Sequence, residues 1–308
     1  MSQSALDRFD PRRIPSVYRS ATMDQKEAIL GVALVLPSLV LVGTVIIYPL
    51  FFNIFLSLHQ VPLQGEPIWN TGGNFQWLLS NSEFWSSLYL TIAFSLIAAG
   101  LSTAGGIAVT LLFRRSFPGR RLIRGLVLLP YVMPIVAIAF AWRWMFNPVY
   151  GVVPFVLQTL GFSELAQLSL LKSSRTALWT ISLFEGWRYF PLAFLLIFAR
   201  AQAIPNDVYE AAKIDGASKF AQFKDITLPE LKYITLTVLL LQIIWNFNRF
   251  ADIWLVSQEF EVLSVFTYET AFTTFRLGRA SAISVVLFLF LVVFVLLYVG
   301  LLMEDTDA

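Results

Sequence analysis

The sequence predicts an all-α integral membrane protein that crosses the membrane six times. Hydrophobic residues make up 57% of the 308 residues and charged residues only 14%, whereas a soluble domain carries about 25% charged residues. Six apolar segments are each long enough to cross a hydrocarbon core of about 30 Å as a helix. Connections rich in Lys and Arg alternate with connections poor in them, which is typical of loops on opposite sides of a membrane.

The six predicted spans follow one another along the chain with more polar connections between them. They cover residues 29–58, 84–113, 125–146, 176–199, 234–257 and 280–303. Because lipid offers no hydrogen-bonding partner to an open backbone, segments this apolar are expected to be helices. Prolines at 37, 49, 130, 134 and 191 predict kinks in the first, third and fourth spans.

The distribution of Lys and Arg predicts that both termini face the cytoplasm. The N-terminal segment, the second-to-third connection and the fourth-to-fifth connection carry five basic residues each, while the other three connections carry four in total. Basic loops stay on the cytoplasmic side. We therefore expect cytoplasmic tails at residues 1–28 and 304–308 around a membrane domain of residues 29–303, in the cell (plasma or inner) membrane.

The composition also argues against several function classes. The chain has no Cys and one His, His59, which argues against a thiolate or histidine metal site and against a Ser-His triad. None of the 16 glycines is followed by Lys, so the phosphate-binding loop of ATPases is absent from the sequence. We expect no catalytic, cofactor or metal site on this chain and no nucleic-acid partner. If this membrane protein moves a solute, that transport would be passive, coupled to an ion, or driven by an ATPase on another polypeptide.

The longest basic connection, residues 200–233, contains the run EAAKIDGASKFAQFKDITLPEL. The run predicts two short helices around a bend at Gly216. Small side chains at Ala211 and Ala212 would let another backbone approach closely. The connection would therefore suit a groove on a partner protein, and the alternative is an ordinary amphipathic connector.

This run resembles the EAA loop of permease subunits of bacterial and archaeal ABC importers, the binding-protein-dependent transport inner-membrane components. Their pattern is EAA, three residues, Gly, nine residues and Ile-x-Leu-Pro, and each element occurs here at that interval. Flanking residues are similar to the sugar-type branch that includes maltose and glycerol-3-phosphate importers. Those residues are Ile204-Pro205, Tyr209 and Ile214-Asp215-Gly216-Ala217.

The resemblance implies a type I ABC importer permease architecture, a transport subunit that is not an enzyme, and alternating access. It also implies partners: a second permease subunit, expected to be a paralogue, two copies of an ATPase subunit that bind ATP and Mg, an extracellular solute-binding protein, membrane lipid, and a sugar or polyol substrate. In that family the loop is a coupling helix that docks onto the ATPase subunit. By position, the docking residues here are Glu210, Ala211, Ala212, Asp215 and Gly216.

Charged residues inside the fourth and fifth spans allow two interpretations. Glu185 with Arg188, and Arg249 with Asp252, each stand three residues apart and could neutralise each other on one helix face. Alternatively they line a polar cavity, because charges inside a membrane usually mark a water-filled path or an internal pair. Asn246, thirteenth of the 24 residues predicted for its span, would then lie near the bilayer midplane, where transporters place substrates.

The resemblance favours the cavity and implies a substrate path. By position, that path is lined by Tyr131, Glu185, Arg188, Tyr189, Gln242, Asn246 and Arg249. Amides, carboxylates and arginines hydrogen-bond hydroxyl groups, and aromatic faces cover the apolar side of a sugar ring. Some relatives place the tight site only in the partner permease, and the two arginines mean that maltose as substrate does not carry over.

Other functions stay open at this level. An ion-coupled secondary transporter would explain the intramembrane charges but would leave the EAA-like loop without a role. An ABC importer permease for a non-sugar solute, such as phosphate or a peptide, is the second alternative. The predicted outer stretch 258–277 has Glu259-Phe260-Glu261 where family members often have Gly-Gly-Pro, so the contact with a solute-binding protein is expected to differ.

Overall fold

The computed structural model describes residues 23–114 and 117–304. The predicted tails, 1–28 and 304–308, lie largely outside the described residues. The chain divides into two compact units, residues 1–56 and 57–308, and each is described by itself.

The described part of the first unit is one long apolar helical segment. Helix α1 (Met23–Val42) continues through a π turn (Gly43–Ile47) into α2 (Tyr48–Ser57). The N–H of Tyr48 donates to the carbonyl of Gly43, five residues back, immediately before Pro49, which has no N–H to donate. The segment Leu30–Ser57 is long and apolar enough to cross a membrane, which confirms the first predicted span as a helix.

The second unit contains a small hairpin and the remaining helices. Its elements are β1 (His59–Gln60), β2 (Ile68–Trp69), α3 (Gly73–Ser80), α4 (Ser82–Phe113), α5 (Arg120–Val132), α6 (Ile135–Met145), α7 (Val152–Thr159), α8 (Ser163–Gln167), α9 (Ser174–Gln202), α10 (Asn206–Ile214), α11 (Lys219–Gln222), α12 (Leu228–Phe247), α13 (Ala251–Val256), α14 (Leu263–Tyr268) and α15 (Leu277–Glu304). Two π turns, Phe223–Thr227 and Glu269–Thr273, follow α11 and α14. The strands pair antiparallel, with His59 opposite Trp69.

Helices α4 and α9 form the most extensive helix pair of this unit. Their axes approach closely because glycines stand at the contact. A Cβ atom added at Gly106 would lie 2.6 Å from the Cβ of Ala193, and one added at Gly186 would lie 2.7 Å from the Cβ of Leu101. Close packing at small residues is a common means of joining helices in lipid.

The third predicted span, 125–146, is not a continuous helix. It is broken after Val132, and α5 and α6 are bent by 89° relative to each other. Met133 and Pro134 have extended backbones, and the proline ring disfavours a helical conformation at the residue before it. A kink was therefore expected here, but the angle between α5 and α6 is close to a right angle, which corrects the prediction of one continuous span.

The fifth predicted span, 234–257, is also corrected. Its helix begins earlier, at Lys219, runs through a π turn and ends at Phe247; the residues that follow form the separate helix α13. The amide side chain of Asn248 donates to the carbonyl of Ile244, a side-chain bond that competes with continued helix. Asn246 lies in the last turn of this helix and not at its centre, so the reason given for its depth does not hold, and the depth itself stays a prediction.

The second, fourth and sixth predicted spans are confirmed as the single helices α4, α9 and α15. Among the described residues, five helices are long and apolar enough to cross a membrane, or six if α5 and α6 count as one span. The number six and the cytoplasmic position of both termini stay predictions.

Candidate functional site

The predicted coupling loop folds as helix, glycine bend and helix. Helix α10 ends in a bend at Gly216, whose φ of +79° lies in the left-handed region that favours glycine. The N–H of Ala217 donates across the bend to the carbonyl of Ala212 at 2.8 Å, as in a Schellman motif. Helix α11 then starts behind Ser218, whose Oγ accepts from the N–H of Ala221 at 3.2 Å.

The residues predicted to dock lie at the surface of this loop. Glu210, Ala211, Asp215 and Gly216 are exposed, and Ala212 is half-buried. Two large apolar side chains stand beside them: Ile214 is 86% exposed and Phe220 is 73% exposed. Sequence reasoning gave these two no docking role, although apolar residues in an otherwise polar loop were a usable signal.

A buried contact holds the loop against the end of α4. Tyr209 on α10 is buried, and the guanidinium carbon of Arg114 lies 3.9 Å from its ring centroid. Both side chains reach the hydroxyl of Thr227, Tyr209 at 3.0 Å and Arg114 at 3.2 Å. From the sequence, Arg114 counted only as one of the basic residues of its connection, because its partner Thr227 lies 113 positions further along the chain.

The charges of the fourth and fifth predicted spans meet in one cluster between α9 and the segment that follows α12. Arg188 pairs with Asp252, and the Nε of Arg249 lies 3.4 Å from the Oε2 of Glu185. Glu185 and Arg188 on α9 therefore both have their counter-ions on the other segment. Of the two pairs considered within one helix, Glu185 with Arg188 is not among the ion pairs of the described residues, while Arg249 does approach Asp252, at 3.6 Å.

The phenol of Tyr189 lies at the centre of this ion cluster, which we define as Glu185, Arg188, Arg249 and Asp252. Its hydroxyl accepts hydrogen bonds from Arg249 at 2.6 Å and from Arg188 at 3.1 Å. The guanidinium of Arg249 also stacks on the Tyr189 ring, 4.1 Å from its centroid. These contacts fix the orientation of both arginines.

The remaining predicted path residues lie around the cluster. Tyr131, next to the break between α5 and α6, packs edge-on against Tyr189 with ring centroids 5.8 Å apart. Asn246 accepts from Arg249 at 3.4 Å and donates to the carbonyl of Ser95 at 3.4 Å. Gln242 is buried one turn before Asn246. The structure thus brings the seven predicted residues into one region.

The cluster is electrically neutral and mostly closed to solvent. The exposed fraction is 1% for the side chain of Glu185 and 16% for that of Arg249. Within the described chain, the amide nitrogen of Gln242 and the Nε atoms of Arg188 and Arg249 make no hydrogen bond. The amide nitrogen of Gln242 and the Nε of Arg188 are buried donors available to an acceptor such as a hydroxyl, while the Nε of Arg249 already faces the carboxylate of Glu185. Asp252, absent from the predicted set, completes the charge balance.

The stretch 258–277 contains a carboxyl group whose ionisation affects stability. Burial raises the pKa of Glu261 to about 7, and the carboxylates of Glu269 and Glu83 add to the shift. The folded chain holds this proton more tightly than the unfolded chain. The free energy of unfolding is therefore expected to fall as pH rises from about 4.5 to about 7, and Glu261 should contribute no further change above pH 7.

In the variant Glu261→Gln this loss of stability should disappear, as measured by thermal unfolding across the pH range. Glu259→Gln, two residues away and exposed, is the control that should keep it; an equal change in both variants would contradict the expectation.

Comparison with known proteins shows that the chain is similar to membrane components of transport systems. Residues 102–303 match the family described as "Binding-protein-dependent transport system inner membrane component". The chain is 38% identical over 267 residues to the inner membrane ABC transporter permease protein YcjO of Escherichia coli, covering 86% of this chain and 91% of that protein. It is 33% identical over 284 residues to the trehalose/maltose transport system permease protein MalF of Thermococcus litoralis, covering 91% and 95%.

Solved structures show the same fold. A subunit of a bacterial ABC transporter involved in the import of the acidic polysaccharide alginate superposes with a TM-score of 0.75 at 18% identity, over 90% of this chain and 96% of that chain. Its counterpart in complex with an alginate pentasaccharide-bound periplasmic protein gives the same TM-score. With the family match covering about two thirds of its length, the chain belongs to the binding-protein-dependent transport system inner membrane component family, as a permease subunit of an ABC importer.

Proposed function

We propose that this permease imports a sugar or a related polyol, and that the substrate passes the ion cluster and the Tyr131–Tyr189 pair. The observation that carries the proposal is the pair of buried N–H donors of Gln242 and Arg188, which make no hydrogen bond within the described chain. A hydroxylated substrate supplies oxygen acceptors to such donors, and aromatic rings cover its apolar side.

The names of relatives support the sugar class. MalF of Thermococcus litoralis is named as a trehalose/maltose permease, and SugA of Mycobacterium tuberculosis, 26% identical over 284 residues, as a trehalose permease. Membership of the ABC importer permease family argues against the alternative of an ion-coupled secondary transporter. An importer permease for a non-sugar solute is the second candidate, and the two partly buried arginines, Arg188 and Arg249, favour it if the solute is anionic.

The transport cycle we propose is alternating access driven by separate ATPase subunits. Two copies of that subunit would bind ATP and Mg, and one would receive the loop through Glu210, Ala211, Ala212, Asp215 and Gly216. Glu210 would pair with a basic group there, and the exposed side chains of Ile214 and Phe220 would add apolar contact. An extracellular solute-binding protein would deliver the substrate to the opposite face, and the tails at 1–28 and 304–308 would lie in the cytoplasm.

A second permease subunit, expected to be a paralogue, would complete the path. The break between α5 and α6 supports this partner. Around it Val132 is 73% exposed, Met133 40% and Tyr131 39%, so the interrupted backbone is accessible on this chain. Non-helical backbone at membrane depth is tolerated only against protein or a water-filled cavity, and a second subunit at this face would provide that cover.

Transport assays test the proposal directly. The complete importer, reconstituted in vesicles with its solute-binding protein, should take up a sugar or polyol when ATP is enclosed with the ATPase subunits. Gln242→Leu should reduce uptake about tenfold, because a hydrogen bond made to the moving substrate is lost. Asn248→Leu is the control, since that amide is exposed and bonds its own helix.

Three outcomes would contradict the proposal. Uptake that follows an ion gradient instead of ATP would exclude the proposed mechanism. A solute-binding protein stabilised by peptides or phosphate but by no sugar or polyol would exclude the substrate class. Equal uptake by Gln242→Leu and wild type would exclude the path.

A further inference from the structure

A cavity of about 390 Å³ lies between the coupling loop and the end of α4, apart from the exposed residues proposed to dock onto the ATPase subunit. Its lining, taken from the described residues, includes three basic side chains, Arg114, Lys213 and Lys219, and no acidic one. The polar groups of Tyr209 and Gln222 face the same space. A concave surface with several cations and no carboxylate has the composition of an anion site.

Arg114 is held in place before any ligand arrives. Its guanidinium stacks on the buried ring of Tyr209 and donates one hydrogen bond, from Nη1 to the hydroxyl of Thr227. A guanidinium carries five N–H donors, and among the described residues the other four have no hydrogen-bond acceptor, so they are available to a ligand. Because the side chain is already ordered, little conformational entropy is lost when it binds an anion, and its planar fork matches a phosphate group.

Lys213 and Lys219 supply the mobile charges of the cavity. They lie on either side of the Gly216 bend, one in the last turn of α10 and one at the start of α11, and both are exposed. Neither forms an ion pair with a carboxylate within the described residues. The bend thus brings two free ammonium groups to the same opening as the ordered guanidinium.

The cavity lies where a membrane-spanning helix ends. Arg114 directly follows α4, a helix long and apolar enough to cross the membrane, and the apolar side chains of Leu111 and Phe223 also line the cavity. The cavity therefore combines a cationic part with an apolar edge beside the end of a candidate span. Anionic lipid headgroups attract basic residues close to the end of a span.

We propose that this cavity binds a phosphate group, carried either by an anionic phospholipid headgroup or by a free phosphate ester, and that Arg114, Lys213 and Lys219 are its ligands. Binding would join the coupling loop to the end of α4. The site is separate from the proposed substrate path and does not depend on the sugar specificity.

The test uses the full chain purified in detergent and measures its thermal unfolding midpoint against increasing concentrations of four probes. The probes are phosphatidylglycerol, phosphatidylcholine as the neutral lipid control, inorganic phosphate and glycerol 3-phosphate. The test variant is Lys213→Gln with Lys219→Gln, since both side chains are exposed and their loss leaves the contacts of Arg114 intact. The matched control is Arg121→Gln with Lys224→Gln, two exposed basic residues outside the cavity lining.

We expect an anionic probe to stabilise the wild-type chain while phosphatidylcholine does not. The test variant should bind that probe roughly thirtyfold more weakly, since each basic residue near an anionic surface contributes about fivefold, and the control should stay within about twofold of wild type. Stabilisation by phosphatidylglycerol alone would identify a lipid headgroup, and stabilisation by the two soluble anions would identify a free phosphate ester. Stabilisation by no anionic probe, or an equal loss in both variants, would overturn the proposal.

Discussion

The substitution Asp252→Asn is expected to lower the stability of the folded chain by about 3–5 kcal/mol. Asp252 is the shared acceptor of the ion cluster, paired with Arg188 and 3.6 Å from Arg249. Without its charge, two arginines face the single carboxylate of Glu185 in a site where the Asp252 side chain is only 8% exposed. An uncompensated charge in such surroundings is costly because water cannot solvate it. Thermal unfolding of the detergent-solubilised chain measures the effect.

The cause of this loss is tested by two further variants. Adding Arg188→Met to Asp252→Asn restores neutrality and should recover a large part of the stability, so the two substitutions should not be additive. The exposed pair of Arg200 and Glu230, 2.6 Å apart and nearly half accessible, is the matched control. Glu230→Gln should cost about 0–1 kcal/mol. Equal losses in the buried and the exposed pair would contradict the argument from burial.

The substitution Gly216→Val is expected to reduce ATP-driven uptake about tenfold or more while the chain still inserts into the membrane. A residue with a Cβ pays about 1–2 kcal/mol in the left-handed region, and a β-branched residue more. No atom lies within 4 Å of the position that the new Cβ would occupy, so the cost falls on the backbone bend and not on packing. The bend sets the angle between α10 and α11, and its loss would misplace the docking residues.

Gly161→Val separates this effect from general strain. Gly161 also has a positive φ, +87°, with open space around its Cβ position, but it lies between α7 and α8, far along the chain from the coupling loop. It should keep most of the uptake, with membrane insertion measured for both variants. Full ATP-driven uptake by Gly216→Val, or an equal loss in both variants, would show that the bend does not transmit the ATPase motion.

Local patterns in the sequence predicted where helices occur more accurately than where the helices end. Apolar length suffices for α4, α9 and α15, because lipid leaves a long apolar segment no structure but a helix. The break beside Pro134 was foreseen only as a kink, since the angle depends on what packs around it. The end of α12 was placed ten residues too late, because the apolar run continues into α13 past Asn248, where the helix ends.

The candidate sites also differ in how well the sequence predicted them. The bend at Gly216 follows from spacing within a few residues, and the structure agrees with it. The ion cluster depends on which faces of α9 and α13 meet, so spacing along one helix suggested Arg188 with Glu185 when its partner is Asp252, 64 positions away. Arg114 and Tyr209 meet across a similar distance in sequence. Contacts of this kind are set by tertiary packing.

The continuous helical segment Lys219–Phe247, 29 residues long, connects the two candidate sites mechanically. At 1.5 Å per residue it is a rod of about 43 Å, with the glycine bend at one end and Asn246 beside the ion cluster at the other. A rotation of this segment by about ten degrees about the bend would move its far end by roughly 7 Å, more than the length of any ion pair in the cluster. A small change of angle at the bend would therefore be large enough, over this length, to separate the charges.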